Sequence, residues 1–385
     1  MRSKNPAGFG DEMHLSGVSR ETPLTCISRA HNSLMAEPKS TMTAARFHEP
    51  GKPLLIEEVP VPRPAPDEVL VRVHATGLCG SDVHIAIEGI TPTPYRPITL
   101  GHEIAGTVAV LGEGVQGWAV DDRVAVCVVV VDGTCAQCVA GRSQLCDSRS
   151  LVGIHQEGGL AEYVVVPARN LCALPASVPF EVGAIVMDAV ATPFHALVDV
   201  AKVQPGEAVA VVGAGGLGLH AVQIAKLMGA HPVIAVDVRA AQRERAAAHG
   251  ADVVVDPGRE AVAEAVLSAT GGAGVAVAAE FVGHAETIGY AVESLAVGGR
   301  AVICGLGAEP ITAQAPIVFV RRELQILGSY GFTISTLRRV LALVDAGLLD
   351  LGASITHRFP LTGADRALQT LHEKLDDPQR VVVIP

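Results

Sequence analysis

The chain has 385 residues, of which 49% are apolar and 18% charged, and it carries a formal net charge of −11 at pH 7. This length suffices for two domains with buried cores. The acidic balance argues against nucleic-acid binding, because phosphate recognition needs clusters of basic side chains. No apolar run reaches the roughly 20 residues that a membrane-spanning helix requires. We therefore expect a cytoplasmic protein with no membrane or nucleic-acid partner.

The N-terminal segment, residues 1–42, is polar and rich in Ser, Pro and Asn. It lacks the apolar core of a secretory signal. We expect either a disordered extension or an upstream start codon, with Met35 or Met42 as the later start.

From residue 43 the chain reads as short strands joined by turns rich in Gly and Pro, which predicts a β-rich domain. The clearest of these strands are 54–59, 68–73 and 104–110.

After about residue 192, apolar strand runs alternate with helical stretches, which predicts a parallel sheet with right-handed crossovers. The predicted strands are 208–212, 233–236, 253–255, 275–281 and 301–304. The predicted helices are 217–228, 240–249 and 261–269, followed by a helix at 335–346 and a last strand at 380–384.

A glycine-rich loop, GAGGLG at 213–218, directly follows a predicted strand and opens a predicted helix. Its glycines permit a tight turn and close approach to a pyrophosphate, and the helix N-terminus adds N–H donors. Asp237 ends the next strand, where a carboxylate accepts hydrogen bonds from the adenosine ribose and repels a 2′-phosphate. The alternative is an ordinary turn with a surface aspartate. We predict NAD as the cofactor, with Arg239 able to soften that preference. The predicted contacts are Gly213, Gly215, Gly216, Leu217, Gly218, Asp237 and Arg239.

Two groups of metal-ligand residue types lie in the first half of the chain. Cys79 and His102 supply a thiolate and an imidazole, which a catalytic zinc site combines with an open coordination position. Either residue alone could be an ordinary core side chain. Cys135, Cys138 and Cys146 are dense enough to predict a structural tetrahedral zinc, with the fourth ligand left open.

Together these motifs resemble the zinc-containing medium-chain dehydrogenase/reductase family over essentially residues 43–385. The match lies in GLCGSDVH at 77–84, GHE at 101–103, GGLAEY at 158–163 and the glycine loop, in the family's order. The resemblance implies an α/β protein: a GroES-like β-barrel catalytic domain interrupted by a Rossmann domain with a doubly wound parallel sheet. The implied segments are the extension 1–42, the catalytic domain 43–191, the Rossmann NAD-binding domain 192–330 and the catalytic return segment 331–385.

The activity implied by the resemblance is that of an alcohol dehydrogenase: zinc-dependent hydride transfer between a small alcohol, expected to be secondary, and NAD. Oxidation of a polyol, an amino alcohol or a ring alcohol is an alternative. A zinc-free quinone or enoyl reductase is a weaker one, because such enzymes lack the ligands present here. The resemblance also implies a homodimer or homotetramer.

The third ligand of the catalytic zinc is implied by MDAVATPFH at 187–195, where Asp188 matches the acidic ligand of a bacterial branch of the family. Glu103 is an alternate ligand. The alternative for Asp188 is that it caps the following helix, as aspartate does well. Thr192 is expected to contact the nicotinamide.

The second zinc departs from the family pattern, because its usual first cysteine falls on Asp132 here. A carboxylate oxygen is an acceptable zinc ligand. Cys127 competes for this fourth place. The implied structural set is Asp132, Cys135, Cys138 and Cys146, so that two Zn²⁺ ions are expected per chain.

Proton transfer is assigned to two residues by the resemblance. Ser81 takes the hydroxyl proton and passes it through the nicotinamide ribose to His84, which can exchange it with solvent. The alternatives are a turn hydroxyl and a surface imidazole. Asp82 is expected to fix the tautomer of His102. Further implied cofactor contacts are Arg380 at the pyrophosphate, and Gly305 and Leu306 at the nicotinamide.

Overall fold

The computed structural model describes residues 40–311 and 314–385. Most of the predicted extension at 1–42 therefore lies outside the described residues. Its last residues are not an extension, because the first strand begins at Thr41, two residues before the predicted start of the catalytic domain.

The first part of the described chain is mostly antiparallel β-structure, as its short apolar runs predict. The strands are β1 (Thr41–Phe47), β2 (Leu55–Pro60), β3 (Glu68–Leu78), β4 (Ile98–Thr99), β5 (Glu103–Leu111), β6 (Arg123–Val126), β7 (Val129–Val130), β8 (Ser150–Leu151), β9 (Tyr163–Pro167) and β10 (Leu171–Ala173). Two short helices accompany them, α1 (Gly80–Ala86) and α2 (Ala136–Val139).

Strand β3 is the centre of this β-structure, since it pairs antiparallel with both β5 and β9. Val69, Val71 and Val73 alternate along it and pack into one buried cluster, as expected for a strand with one face in the core. The carboxyl end of β3 leads directly into α1, which sets the position of Cys79.

A continuous helical segment, Phe180–Val200, runs through the core. It consists of α3 (Phe180–Ile185), a π-helical turn (Val186–Val190), α4 (Ala191–Phe194) and a second π-helical turn (His195–Val200). By length and composition alone it could cross a membrane, but 83% of its most apolar window is buried inside the protein. We therefore describe it as the core helix.

The next part of the chain forms a six-stranded sheet in which every neighbouring pair of strands is parallel, as the alternating pattern predicts. Its elements are β11 (Val209–Val212), α5 (Gly218–Leu227), β12 (Val233–Val236), α6 (Ala240–Ala248), β13 (Val253–Val255), α7 (Val262–Ala269), β14 (Val275–Glu280), α8 (Ala285–Glu293), β15 (Leu295–Ile303), α9 (Pro316–Arg321) and β16 (Gln325–Gly328). The strand order is β13-β12-β11-β14-β15-β16. This is the Rossmann order, which opens a ligand crevice at the carboxyl ends of β11 and β14.

The last part of the chain returns to the first sheet. Its elements are α10 (Ile334–Asp345), β17 (Ile355–Pro360), α11 (Ala364–Glu373) and β18 (Arg380–Ile384). Strand β18 pairs antiparallel with β3, so Arg380 is brought beside the end of that strand. Sheet membership thus changes between β10 and β11 and again between β16 and β17. This supports the division at 43–191, 192–330 and 331–385, which remains a prediction.

Candidate active site

Four ligand-type side chains converge where β3, β5 and the core helix meet. Cys79, His102, Glu103 and Asp188 each offer one ligand atom, and these atoms all lie within 4.8 Å of one another. Cys79 Sγ is 3.1 Å from Asp188 Oδ2, and His102 Nε2 is 3.8 Å from the same oxygen. The three predicted catalytic ligands and the predicted alternate ligand are therefore brought together.

Asp188 lies in the first π-helical turn of the core helix, Val186–Val190. The helix continues on both sides of it, so the alternative that Asp188 caps a helix does not apply. Its Oδ1 accepts a hydrogen bond of 2.5 Å from the hydroxyl of Thr192, one turn later. Since π-helical turns concentrate at functional sites, this irregularity is itself a sign of a special position.

The ionisable groups of this cluster shift one another's pKa values. Burial and the charge of Asp188 raise the pKa of the Cys79 thiol. Burial opposes the charged form of His102, but the Asp82 charge and the nearby Asp188 carboxylate outweigh it and hold the pKa well above its usual range. The pKa of Asp188 is lowered against the effect of burial, chiefly by His102. A divalent cation would replace these shared protons, because metal ligands must be deprotonated.

Asp82 lies behind His102, whose Nδ1 atom has no hydrogen-bond partner among the described residues. Its Oδ1 lies 3.5 Å from His102 Nδ1, and its Oδ2 accepts a hydrogen bond of 2.9 Å from the backbone N–H of Cys79. The Nε2 atom of His102 is thereby left on the side of Asp188. Both Asp82 and His102 are buried.

Glu103 is paired with Arg380, and both side chains are buried. The Arg380 guanidinium also donates a hydrogen bond of 3.2 Å to the carbonyl of Leu78. Burial raises the pKa of Glu103 to about 7, an effect that Arg380 opposes. Arg380 therefore reaches the metal-ligand cluster as well as the glycine loop, where a Cβ atom on Gly216 would lie 3.0 Å from Nη1.

Ser81 and His84 lie three residues apart in α1, which places them on neighbouring positions of one helical face. Ser81 is half-buried next to Asp82, whereas the side chain of His84 is 36% exposed. His84 Nε2 is 3.8 Å from Glu88 Oε2. This order, inner hydroxyl and outer imidazole, is the one that proton transfer to solvent needs.

A second ligand cluster consists of Asp132, Cys135, Cys138 and Cys146, whose ligand atoms also lie within 4.8 Å of one another. Asp132 Oδ2 is 3.3 Å from Cys146 Sγ, and its Oδ1 accepts from the backbone N–H groups of Thr134 and Cys135. These backbone hydrogen bonds lower the pKa of Asp132 and keep it a carboxylate.

The competing residue, Cys127, is not part of this second cluster. It is buried in the main core, where its backbone N–H donates to the Asn170 carbonyl. Burial raises the pKa of its thiol to about 12. Asp132 is thus the residue that completes the four-donor arrangement.

The glycine loop forms one wall of a groove of about 700 Å³. A Cβ atom on Gly218 would lie 1.8 Å from the Gly213 carbonyl oxygen, whereas a Cβ atom on Gly215 would meet nothing within 4 Å. Only glycine fits at position 218, whereas the glycine at position 215 leaves the backbone open to a ligand. Other groove residues are Gly80, Gly216, Leu217, Asp237, Val238, Arg239, Phe281, Lys374 and Arg380.

Asp237 stands at the end of β12 beside this loop. Its Oδ2 accepts from the Ala214 N–H at 2.9 Å, and its Oδ1 accepts from the Arg239 N–H at the same distance. The carboxylate is therefore fixed in place before any ligand binds. The Arg239 guanidinium lies within 3.9 Å of it.

Gly305 and Leu306 do not line the dinucleotide groove; they line a separate cavity of about 830 Å³. Cys304 lies in the same wall, and burial together with the Asp188 charge raises the pKa of its thiol to about 12. The charge of Asp188 therefore reaches a residue in the wall of this cavity. The predicted contact of Gly305 and Leu306 with nicotinamide remains a prediction.

Two polar residues of this cavity were not identified from the sequence. Gln144 and Ser329 are both buried, and neither Gln144 Oε1 nor Ser329 Oγ has a hydrogen-bond partner within the described part of the chain. Gln144 Nε2 contacts His195 Nε2 at 3.2 Å, and His195 Nδ1 contacts Asp199 Oδ2 at 2.9 Å. Among these polar residues, the sequence pattern could have indicated only His195 and Asp199. They follow Asp188 by 7 and 11 residues, a spacing that places them on the same face of a helix.

Two family models match the chain. The one described as the alcohol dehydrogenase GroES-like domain matches residues 65–176, and the one described as zinc-binding dehydrogenase matches residues 216–346. The first range contains Cys79, His102 and Glu103 of the first ligand cluster.

Known proteins resemble the chain over most of its length. L-threonine 3-dehydrogenase from Pyrococcus horikoshii is 35% identical over 83% of this chain and 91% of its own length. A zinc-binding dehydrogenase from Sinorhizobium meliloti 1021, solved bound to NADP, is 33% identical with a TM-score of 0.84, covering 90% of this chain and 100% of its own. The cobalt- and zinc-bound thermostable alcohol dehydrogenase from Pyrobaculum aerophilum is 31% identical with a TM-score of 0.79, covering 90% and 100%.

Proposed function

The chain belongs to the zinc-containing medium-chain dehydrogenase/reductase family, and we propose that it oxidises a secondary alcohol with a polar group next to the hydroxyl-bearing carbon. It is a zinc-dependent oxidoreductase that transfers a hydride between an alcohol–carbonyl pair and a nicotinamide dinucleotide. The observation that carries the proposal is the cluster of Cys79, His102 and Asp188, together with a cavity lined by the buried polar residues Gln144 and Ser329.

The donor set fits zinc. A thiolate, an imidazole and a carboxylate are its usual protein ligands, and three such ligands leave a position for substrate. Burying these ionisable groups together is costly without a compensating charge. Zinc bound there supplies a Lewis acid that lowers the pKa of the substrate hydroxyl. Thr192 and Asp82 would hold Asp188 and His102 in the geometry described above, while Glu103 is the alternate ligand.

The groove beside the glycine loop fits a dinucleotide. The open backbone at Gly215, the N-terminus of α5 and the Arg380 guanidinium all offer donors to a pyrophosphate. The preset carboxylate of Asp237 favours NAD over NADP, because it accepts ribose hydroxyls and repels a 2′-phosphate. NAD supplies the hydride acceptor. Arg239 beside Asp237 could accommodate NADP, which the Sinorhizobium relative binds.

The proton of the substrate hydroxyl leaves through α1 in this proposal. Ser81 would accept it near the ligand cluster, and His84 would release it at the surface. The partial exposure of the His84 imidazole supports this direction. Histidine is suited to the last step, because its usual pKa allows exchange with solvent near neutral pH.

The polar substituent of the substrate is inferred from the cavity beside Cys304. Gln144 and Ser329 line this cavity, and neither Gln144 Oε1 nor Ser329 Oγ has a hydrogen-bond partner among the described residues. Buried acceptors of this kind favour ligands that donate hydrogen bonds, and they disfavour alkyl groups that would leave them unpaired. L-Threonine, the substrate named for the Pyrococcus relative, is a secondary alcohol with an ammonium group on the adjacent carbon.

The substrate proposal is tested by following NADH formation with four classes of alcohol: β-amino alcohols including L-threonine, polyols, ring alcohols and simple secondary alcohols such as 2-butanol. We expect kcat/KM to be at least about 10-fold higher for one of the polar acyclic classes than for 2-butanol, because one unpaired buried acceptor costs about 1–3 kcal/mol. Equal or higher efficiency with 2-butanol would reject the polar-substrate proposal.

The assembly is proposed to be a homodimer or homotetramer. Strand β16 is an edge of the parallel sheet, and Val297, Ile317 and Val320 nearby are largely exposed. The start of β15, which carries Val297, and the end of α9, which carries Val320, adjoin, since Gly298 N–H donates to the Arg322 carbonyl at 2.7 Å. An open sheet edge with apolar neighbours favours association.

A cytoplasmic location fits both ligand clusters, because their cysteines must stay reduced.

A further inference from the structure

His220 is a fully buried histidine on α5, two residues after the last glycine of the 213–218 loop. Its Nδ1 lies 2.9 Å from the carbonyl oxygen of Ala189, and its Nε2 lies 3.0 Å from the hydroxyl of Ser354. A carbonyl can only accept a hydrogen bond, so Nδ1 carries the proton and Nε2 accepts from Ser354. The proposed chemistry gives this residue no role.

Ala189 is the neighbour of the proposed zinc ligand Asp188, in the π-helical turn Val186–Val190. A π-helical turn interrupts the regular i to i+4 hydrogen-bond ladder of a helix. His220 donates this hydrogen bond from α5, and it therefore fixes the π-helical turn of the core helix from outside that helix. It is a direct link between the helix that follows the glycine loop and the turn that carries Asp188.

The imidazole keeps one protonation state at this position. Burial lowers the pKa of His220 to about 3, and the Arg380 charge acts in the same direction, whereas the backbones of Ala189 and Gly216 oppose it. The ring is neutral at neutral pH, so the donor on Nδ1 is fixed.

We propose that His220 is a positioning residue that couples dinucleotide binding at the glycine loop to the placement of Asp188 in the metal site. A ligand that settles α5 against the core helix also settles the carbonyl of Ala189, and with it the adjacent carboxylate. By linkage, an ordered metal site then favours the bound form of α5 to the same degree. The inference rests on the proposed function, because it takes Asp188 as a zinc ligand and the 213–218 loop as the dinucleotide site.

The test compares NADH affinity of the full-length protein with two zinc ions and with only the structural zinc left after mild chelation, each form verified by metal analysis. In the unsubstituted protein we expect removal of the first zinc to weaken NADH binding by about 10-fold, within the usual range of coupling between two sites. The measured quantity is the ratio of the NADH dissociation constant without the first zinc to that with it. In His220→Leu, which removes the donor, we expect this ratio to fall to about 1. A purely structural role would weaken NADH binding equally in both zinc states and leave the ratio unchanged.

Two variants control the test. His220→Asn keeps an N–H donor close to the place of Nδ1 and should retain most of the ratio. His249→Leu removes another imidazole that contacts α5, through Gln223 at 2.6 Å, but does not touch the π-helical turn, so it should leave the ratio unchanged.

The outcomes separate the two levels of the account. If the protein binds neither zinc at Asp188 nor NADH, the proposed function fails. If it binds both, and either the unsubstituted protein has a ratio of 1 or His220→Leu keeps the original ratio, the coupling role of His220 is rejected and the proposed function stands.

Discussion

Individual carboxylates decide the chemistry of this molecule, and their surroundings distinguish their roles. Asp188 shares hydrogen bonds with Cys79 and Thr192 at the metal cluster. Asp237 is held by backbone N–H groups at the edge of the dinucleotide groove. Asp132 is also held by backbone N–H groups, but beside three cysteines. The residue type is the same at all three positions, and only their partners distinguish the roles that we propose for them.

In the proposed function, Asp237 sets the cofactor preference. Replacing it with Ser removes the charge that repels a 2′-phosphate and the acceptor for the ribose. We expect the ratio of kcat/KM for NAD to that for NADP to fall by about 10- to 100-fold, the effect of losing a charged hydrogen bond of about 1.5–3 kcal/mol. Asp252→Ser is the matched control, since its carboxylate pairs with Lys226 outside the groove. An unchanged ratio in Asp237→Ser would refute the assignment.

We propose Asp132 as the fourth zinc ligand of the second cluster. Asp132→Ala removes one of four donors, whereas Asp132→Cys creates the four-thiolate set that zinc binds well. We expect the alanine variant to lose the structural zinc and to unfold at a lower temperature, and the cysteine variant to keep both zinc and stability. Zinc per chain and thermal melting measure this. Full zinc retention in Asp132→Ala would show that the carboxylate is no ligand.

At the level of elements, regular segments were predictable and irregular ones were not. Strands β12 and β13 coincide with the predicted 233–236 and 253–255, because short runs of apolar β-branched residues end in turn residues. Strand β15 begins six residues before the predicted 301, since two glycines hide its first half. The π-helical turn at Asp188 and the contact between α5 and Ala189 arise from tertiary packing. No local pattern in the sequence encodes them.

Helix α5 carries a pH dependence that follows from its buried histidine. His220 titrates near 6.5 in the unfolded chain and at about 3 in the folded protein. As pH falls below about 6.5, the unfolded chain takes up a proton that the folded protein does not, so the free energy of unfolding decreases until about pH 3. This contribution reaches about 1.4 kcal/mol per pH unit.

His220→Asn removes that contribution. The free energy of unfolding is measured with urea between pH 6.5 and 4.5. It should depend less steeply on pH in the variant than in the unsubstituted protein, by the equivalent of one bound proton. The comparison uses slopes, so a uniform loss of stability in the variant does not disturb it. Identical slopes would mean that His220 is not held neutral.

At the level of the whole molecule, the two sheet systems meet around the site. Strand β18 brings Arg380 to β3 and the glycine loop, and the core helix brings Asp188 to Cys79 and His102. The family resemblance predicted which residues would meet. Their distances, the Glu103–Arg380 pair and the separate cavity beside Cys304 depend on long-range packing, so they could be learned only from the structure.

Association of copies is tested on the exposed apolar surface near β16. Val320 is 74% exposed on α9, and an aspartate there would place a charge in any interface that covers it. We expect Val320→Asp to lower the mass measured by light scattering to that of a smaller assembly or a monomer. Val139→Asp, at a similarly exposed valine on α2, should leave the mass unchanged. If both variants keep the original mass, the interface lies elsewhere.

The central claim is that Cys79, His102 and Asp188 hold a catalytic zinc, and the most direct measurement is the zinc content per chain of the Asp188→Asn variant beside the unsubstituted protein. We predict two zinc ions in the latter and one in the variant. Alcohol oxidation by NAD should fall by about 1,000-fold or more, since the Lewis acid contributes several kcal/mol. Two zinc ions in the variant together with undiminished activity would contradict the account.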